Sequence, residues 1–188
     1  MKKLFYTSLF IITSFFNGIS QNNNLGLRLE FFTYNLEKIR DYDSYSSEFE
    51  FSYLPGFYVF YSHQINERIS LIIKPGFFFS GDGKFNGFDI GGFFRSNFKL
   101  NSFYLTCGLN YIGLNVSGGN TPELESNPYF LSLGVGYNIN NHINIDFGYY
   151  HNLNKRIGTS YLDLNSENQQ EKPLNLHNMI KLSVEFSL

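Results

Sequence analysis

The residues of this chain that could do chemistry are few and scattered over 188 positions. The nearest approach to a hydrolytic set is Tyr150-His151-Asn152-Leu153-Asn154 with Ser160 and Glu167 after it. An imidazole that takes a hydroxyl proton while an acid orients it makes a nucleophile for acyl transfer. That requires base and hydroxyl within hydrogen-bond reach, which this spacing does not supply. His63, His142, His151 and His177 stand apart, with no His-x-x-His or carboxylate spacing, so solvated or hydrogen-bonded imidazoles are expected rather than a metal site. Gly81-Asp82-Gly83 reads as a turn, since the other ligand positions of a calcium loop are missing. Gly91-Gly92 and Gly118-Gly119 precede no helix and are not phosphate loops. Cys107 is the sole cysteine, which excludes an internal disulfide and a cysteine-based zinc site. We expect no metal, no cofactor and no enzymatic activity.

The elements that hold these residues are set by a period of two. Leu25, Leu27, Leu29 and Phe31 alternate with Gly26, Arg28, Glu30 and Phe32. The same alternation runs through 69–74, 88–95, 103–111, 129–138, 143–150 and 174–188, and through 48–53 with Phe49, Phe51 and Tyr53 on its apolar side. Successive side chains of a strand point to opposite faces, so we count eight two-faced strands. There is no alanine, which is a poor composition for helices. Pro55-Gly56 and Pro75-Gly76 interrupt two strands, and a bulge or bend is expected at each because proline lacks the ladder N–H. Long polar links at 35–47, 81–86, 117–128 and 153–173 take turns with short ones at 63–68, 97–101 and 139–142. All the long links therefore fall at one end of a meander.

The first twenty residues read as an address. Lys2 and Lys3 precede an apolar run over 4–16, too short to span a bilayer, and Gly18 and Ser20 are the small residues of a cleavage site. We expect a signal peptide at 1–20 and one domain at 21–188. No cysteine lies nearby, so the lipoprotein form is excluded. Losing two lysines takes the net charge from -2 to -4. Neither value suggests a nucleic-acid partner.

Volume decides which face is outside. Eight strands closed into a barrel enclose a lumen only just wide enough for side chains. The face rich in Leu, Ile, Phe and Tyr is too bulky for it, whereas the other face mixes Gly, Ser, Asn and Thr with charges of both signs. The expected fold is all-β: an eight-stranded antiparallel up-and-down transmembrane barrel, apolar outside. Its lumen charge network would comprise Arg28, Glu30, Glu48, Glu50, Lys74, Asp89, Arg95, Asp146, Lys181 and Glu185. These charges either line a pore or plug the barrel, and eight strands favour the plug. Aromatic girdles are expected from Phe31, Phe49, Phe77 to Phe79, Phe88, Tyr129 and Tyr149 at the long-loop end. Tyr61, Phe103, Tyr137 and Phe186 would form their counterpart at the turns.

With this address, these strands, the entries Leu54-Pro55-Gly56-Phe57 and Lys74-Pro75-Gly76-Phe77, and the closing Glu185-Phe186-Ser187-Leu188, residues 25–188 resemble a known family. It is the small outer-membrane β-barrel domain proteins of Gram-negative bacteria, of the eight-stranded OmpA/OmpX-like type. The resemblance implies a location in the bacterial outer membrane, with turns in the periplasm and long loops outside the cell. The expected role is non-enzymatic: surface-loop anchoring, envelope integrity, or adhesion through loops 35–47, 117–128 and 153–173. Tyr161, Asp163, Glu167 and Glu171 are the first candidates for an extracellular contact. Expected partners are outer-membrane lipid and the barrel-assembly and periplasmic chaperone machinery, with the barrel itself a monomer. Three other readings stand beside this one. A lipid-acyl hydrolase of the outer membrane would carry a His-x-Ser-Asn run, and here Leu153 takes the serine's place. A soluble lipocalin-like barrel would turn its apolar face inward around a ligand. A small-solute channel would conduct through the lumen.

Overall fold

The computed structural model describes residues 23–38, 47–48, 54–79, 86–98, 102–115, 123–124, 126–162 and 170–188. The signal segment 1–20, Phe49 and Glu50, Gly81-Asp82-Gly83, Gly118-Gly119, Asp163 and Glu167 lie outside these residues, as do the side chains of Glu48, Ser160, Tyr161 and Glu171. Eleven strands follow one another: β1 (Asn23–Lys38), β2 (Ser47–Glu48), β3 (Leu54–Gln64), β4 (Ile69–Phe79), β5 (Asn86–Asn97), β6 (Phe103–Asn115), β7 (Glu123–Leu124), β8 (Tyr129–Asn138), β9 (Ile143–Asn152), β10 (Arg156–Leu162) and β11 (Gln170–Ser187). Eight of them pair antiparallel in the order β1-β3-β4-β5-β6-β8-β9-β11. The sheet then closes on itself, β1 against β11, from Gly26↔Ser187 to Tyr34↔Met179. The result is an up-and-down barrel with no free edge along its body.

Two of the tight turns share one sequence solution. In Ile65-Asn66-Glu67-Arg68-Ile69, Asn66 Oδ1 accepts the N–H groups of Arg68 and Ile69, both at 2.9 Å. In Ile139-Asn140-Asn141-His142-Ile143, Asn140 Oδ1 accepts those of His142 and Ile143, both at 2.8 Å. An asparagine side chain thus does the work of a backbone turn, and the flanking isoleucines close it, with Ile65 N–H on Ile69 and Ile139 N–H on Ile143.

The alternation seen in the sequence holds around the barrel. Leu27, Ile73, Phe94, Leu109, Leu133, Phe147 and Leu182 point outward and stay exposed, while Arg28, Lys74, Arg95, Asn110, Ser132, Asp146 and Lys181 point inward and are buried. Four expectations need correction. Neither proline makes a bulge: β1–β3 and β4–β5 keep their registers through Pro55 and Pro75. Instead β3 and β4 remain in register from Tyr58↔Gly76 to Tyr61↔Ile73 but lose the rungs between, where Pro75 has no N–H to give. Phe78 is no girdle residue; it lies one position out of phase with Phe77 and Phe79 and is buried in the lumen. Leu176 also turns inward, because a bulge between Leu176 and Met179, where Tyr34↔Met179 gives way to Leu36↔Leu176, inverts the parity of the first part of β11. Finally, 153–173 is not all loop. After Asn152 the chain jogs and resumes as β10, which pairs with the start of β11 from Arg156↔Asn175 to Leu162↔Gln170. β7 adds to β10, and β2 adds to β1. A strand clear of the apolar belt carries polar residues on both faces, so composition alone could not distinguish it from a loop.

The lumen is also filled differently than composition suggests. Tyr58, Phe60, Phe78, Phe93, Tyr104, Phe130 and Tyr150 all point inward and are buried. They fit because glycines leave room for them. Tyr58 lies flat over Gly76 of the adjacent strand, where a Cβ would sit 2.1 Å from the ring and 2.6 Å from the Phe57 carbonyl oxygen. Gly92 faces outward with nothing within 4 Å of its virtual Cβ. Gly76→Ala should therefore destabilise the folded barrel by about 1–3 kcal/mol through overpacking. Gly92→Ala should stay within about 0.5 kcal/mol of the parent. Urea midpoints of the detergent-folded variants check both.

Candidate functional site

The interior is layered along the barrel axis. Toward the long-loop end it is apolar: Phe32, Leu54, Phe78, Phe130, Ile157, Leu176 and Met179 pack into one buried cluster, with Phe32 and Phe78 edge to face at 5.2 Å. Toward the turns it opens into a polar vestibule of about 660 Å³. Between them lies a layer of charges.

Eight of the ten anticipated lumen residues meet in that layer. Arg28 is the hub. Its Nε donates to Glu30 Oε1 at 2.6 Å, and its two terminal nitrogens grip both oxygens of Asp146 at 2.6 Å. The same nitrogens also donate to Glu185 and to Ser183 Oγ. Arg95 donates to the other oxygen of Glu185 at 2.5 Å. Lys74 donates to Glu30. Lys181 binds Asp89 at 2.5 Å and sits 3.1 Å from Glu30 Oε2, a charge neighbour without directed hydrogen-bond geometry. Four cations thus face four carboxylates in a single connected cluster. Glu48 belongs to β2, paired with Leu36 beyond the bulge, and its side chain and Glu50 are outside the described residues.

Neutral groups complete the layer, and these the sequence reading left unassigned. Tyr58 and Tyr104 donate to Asp89 and Asp146 at 3.1 and 3.2 Å, Asn110 donates to Asp89 at 2.5 Å, and Asn144 donates to Glu185 at 3.3 Å. The ammonium of Lys74 lies 4.7 Å from the Tyr58 ring centre, that of Lys181 lies 4.7 Å from Tyr150, and the guanidinium of Arg95 lies 4.2 Å from Tyr104. Lys74, Lys181 and Arg95 are therefore each held by a carboxylate on one side and an aromatic face on another. Their shared inward parity was the signal that could have found Tyr104, Asn110, Asn144 and Ser183.

Electrically this layer is closed. Removing charges from water costs several kcal/mol per ion, and only well-made pairing offsets it. The void among Arg28, Lys74, Arg95, Tyr150 and Glu185 measures about 10 Å³, the least that holds one water. Among the described residues of this layer the hydroxyls of Tyr58, Tyr104 and Ser183 are each committed to a carboxylate. His151, the one catalytic candidate with a described side chain, is exposed, and its Nδ1 is 2.9 Å from the carboxamide oxygen of Asn178. Ser160 stands opposite Lys172, six ladder positions along β11 from Asn178, or about 20 Å of backbone. Cys107 faces outward on β6.

Arg28→Met should destabilise the barrel by about 3–5 kcal/mol, since it strands Asp146 without its cation and leaves Glu30 and Glu185 each short of one. Ser132→Ala should cost only about 1 kcal/mol, because its hydroxyl makes one hydrogen bond, to the Gly108 carbonyl at 3.0 Å. Unfolding midpoints in one detergent, measured for both variants, give the comparison.

No family model matches this chain, and no curated protein does. Among solved structures, the outer membrane protein OprG from Pseudomonas aeruginosa is similar over 88% of this chain and 96% of its own, at 10% identity and a TM-score of 0.48. Neisserial surface protein A is similar over 87% and 97%, at 13% identity and a TM-score of 0.44. A Pseudomonas aeruginosa FadL homologue is matched over 71% of this chain at 15% identity and a TM-score of 0.40, and the chain spans 35% of that protein's length. At these values the fold rests on the strand pairing of the chain itself. That pairing makes it a closed, eight-stranded, antiparallel up-and-down β-barrel, inverted relative to a water-soluble one: charges within, apolar side chains without.

Proposed function

We propose that the chain is an integral barrel of the bacterial outer membrane, sealed along its axis, whose role is to hold its long-loop end at the surface rather than to catalyse or conduct. The observation that carries this reading is the inversion of the faces. Leu133 is 62% exposed and Phe77 63%, while Glu30 and Lys181 are fully buried. A water-soluble protein rarely leaves an apolar surface of this extent uncovered.

The dimensions agree with a bilayer. On the β6–β8 pair the outward residues run from Phe103 to Tyr111 and from Tyr137 back to Tyr129. Each end carries an aromatic pair, Phe103 with Tyr137 and Tyr111 with Tyr129, both with ring centres 5.0 Å apart. The band between them, on strands tilted by about 40°, is about 20 Å tall, close to the apolar belt of an outer-membrane barrel. Above it, β10, β7, β2 and the start of β11 extend the sheet past the barrel rim. A rigid stalk of this kind suits the presentation of loops, by anchoring or adhesion. The apolar cluster at one end of the lumen and the charge-balanced ion cluster below it support a sealed barrel.

Leu133→Arg discriminates between media. In a bilayer it should cost about 2–4 kcal/mol near the midplane. In a soluble barrel, an arginine at so exposed a site should change stability by no more than about 0.5 kcal/mol. The parent protein should fractionate with the outer membrane, migrate differently in SDS with and without boiling, and show no conductance steps in planar bilayers. A parent found in the soluble fraction with no mobility shift would falsify the membrane reading.

A further inference from the structure

We propose that the turn-end vestibule is a binding site for a neutral, hydroxyl-rich ligand, a short saccharide. Its volume of about 660 Å³ lies within the range of small-molecule sites. Its chemistry is narrower than that of a general opening. The wall is made of carboxamides and hydroxyls contributed by seven strands and two turns, among them Asn24, Gln64, Ser70, Asn97, Asn138 and Asn144. Asn140 is committed to its own turn and Asn144 to Glu185. Asn24 and Gln64 are exposed, and Asn97 and Asn138 half-exposed, where they line the space.

A carboxamide offers a donor and an acceptor side by side, the match for a pair of neighbouring hydroxyls. The single charge in the lining is Arg95, whose guanidinium is already joined to Glu185 and stacked on Tyr104. A free anion meets only this one guanidinium, whose charge Glu185 already offsets although its Nε has no hydrogen-bond partner, and a metal ion meets no carboxylate among the described lining residues. An extended peptide finds no sheet edge to join, because the barrel body is closed. What remains is a bowl of neutral polar groups open at the short-turn end, suited to a compact ligand with hydroxyls on every side. Phe60 and Ile139 are the apolar members of the lining, so little stacking surface is offered and the affinity should be modest. This inference does not depend on what surrounds the outer wall.

The test is a titration of the mature protein, folded in detergent and carrying ¹⁵N in its asparagine and glutamine side chains, with the N-acetylglucosamine tetramer. Saturable shifts of side-chain amide resonances are expected, with at least tenfold weaker binding in the double variant Asn97→Leu, Asn138→Leu. Folding of that variant is checked by its gel mobility. Should it not fold, Asn24→Leu at the rim serves for the same comparison, with a loss of at least threefold expected. Shifts that stay linear with concentration, equal shifts from glycerol at the same hydroxyl concentration, or unchanged affinity in the folded variant would each overturn the proposal.

Discussion

The ion cluster is also the set of ties that crosses the barrel. Arg28 of β1 reaches Asp146 of β9 and Glu185 of β11, so the strands on either side of the closing seam share one guanidinium. Lys74 and Lys181, from β4 and β11, converge on Glu30 of β1, and Lys181 and Arg95 join β11 to β5 on the opposite wall. Ladder hydrogen bonds hold neighbouring strands together. Only side chains inside the lumen can hold strands that are not neighbours, and here charged groups do so. Once closure has excluded water, each of these charges depends on the others for compensation. The barrel can close only with its charge balanced, and the balance is realised only when it closes.

Packing around the cluster follows from the same confinement. An eight-stranded lumen cannot hold large side chains at every inward position, and the chain resolves this by setting most of its large rings against a glycine on their own or an adjacent strand, as Tyr58 does with Gly76 and Tyr104 with Gly136. The rings then serve twice. They occupy volume, and they turn their faces or hydroxyls to the buried ions. Apolar closure at the long-loop end and polar opening at the turns give the interior a direction.

Outside, the logic is reversed because the work to be done is different. A barrel wall has no backbone hydrogen bonds to offer its surroundings, so its relation to the medium is set by side chains alone. A face dominated by Leu, Ile, Val and Phe between aromatic ends, with no charged side chain among its exposed large residues, suits an acyl medium. The rungs missing at Pro75 lie within this belt, and the adjoining ladder to β5 carries the strand across the gap.

Much of this was legible in the chain before it was folded. Parity alone separated the two faces and assigned Arg28, Glu30, Lys74, Asp89, Arg95, Asp146, Lys181 and Glu185 to one side, because a strand's side chains alternate whatever its neighbours are. The volume of the opposite, apolar side, set against a narrow lumen, was enough to turn the sheet the right way out. The sequence could not say which charge meets which, since partners such as Arg28 and Glu185 are brought together by closure and not by spacing. It could not place Leu176 or Phe78, because a single bulge in β11, or an uncertain phase after a proline, inverts every assignment on its far side. Nor could it separate β10 from a loop, since a strand standing in water needs no apolar face. Alternation is a local property and can be read from the chain. Register, pairing and the filling of the lumen belong to strands far apart in sequence, and only the closed barrel decided them.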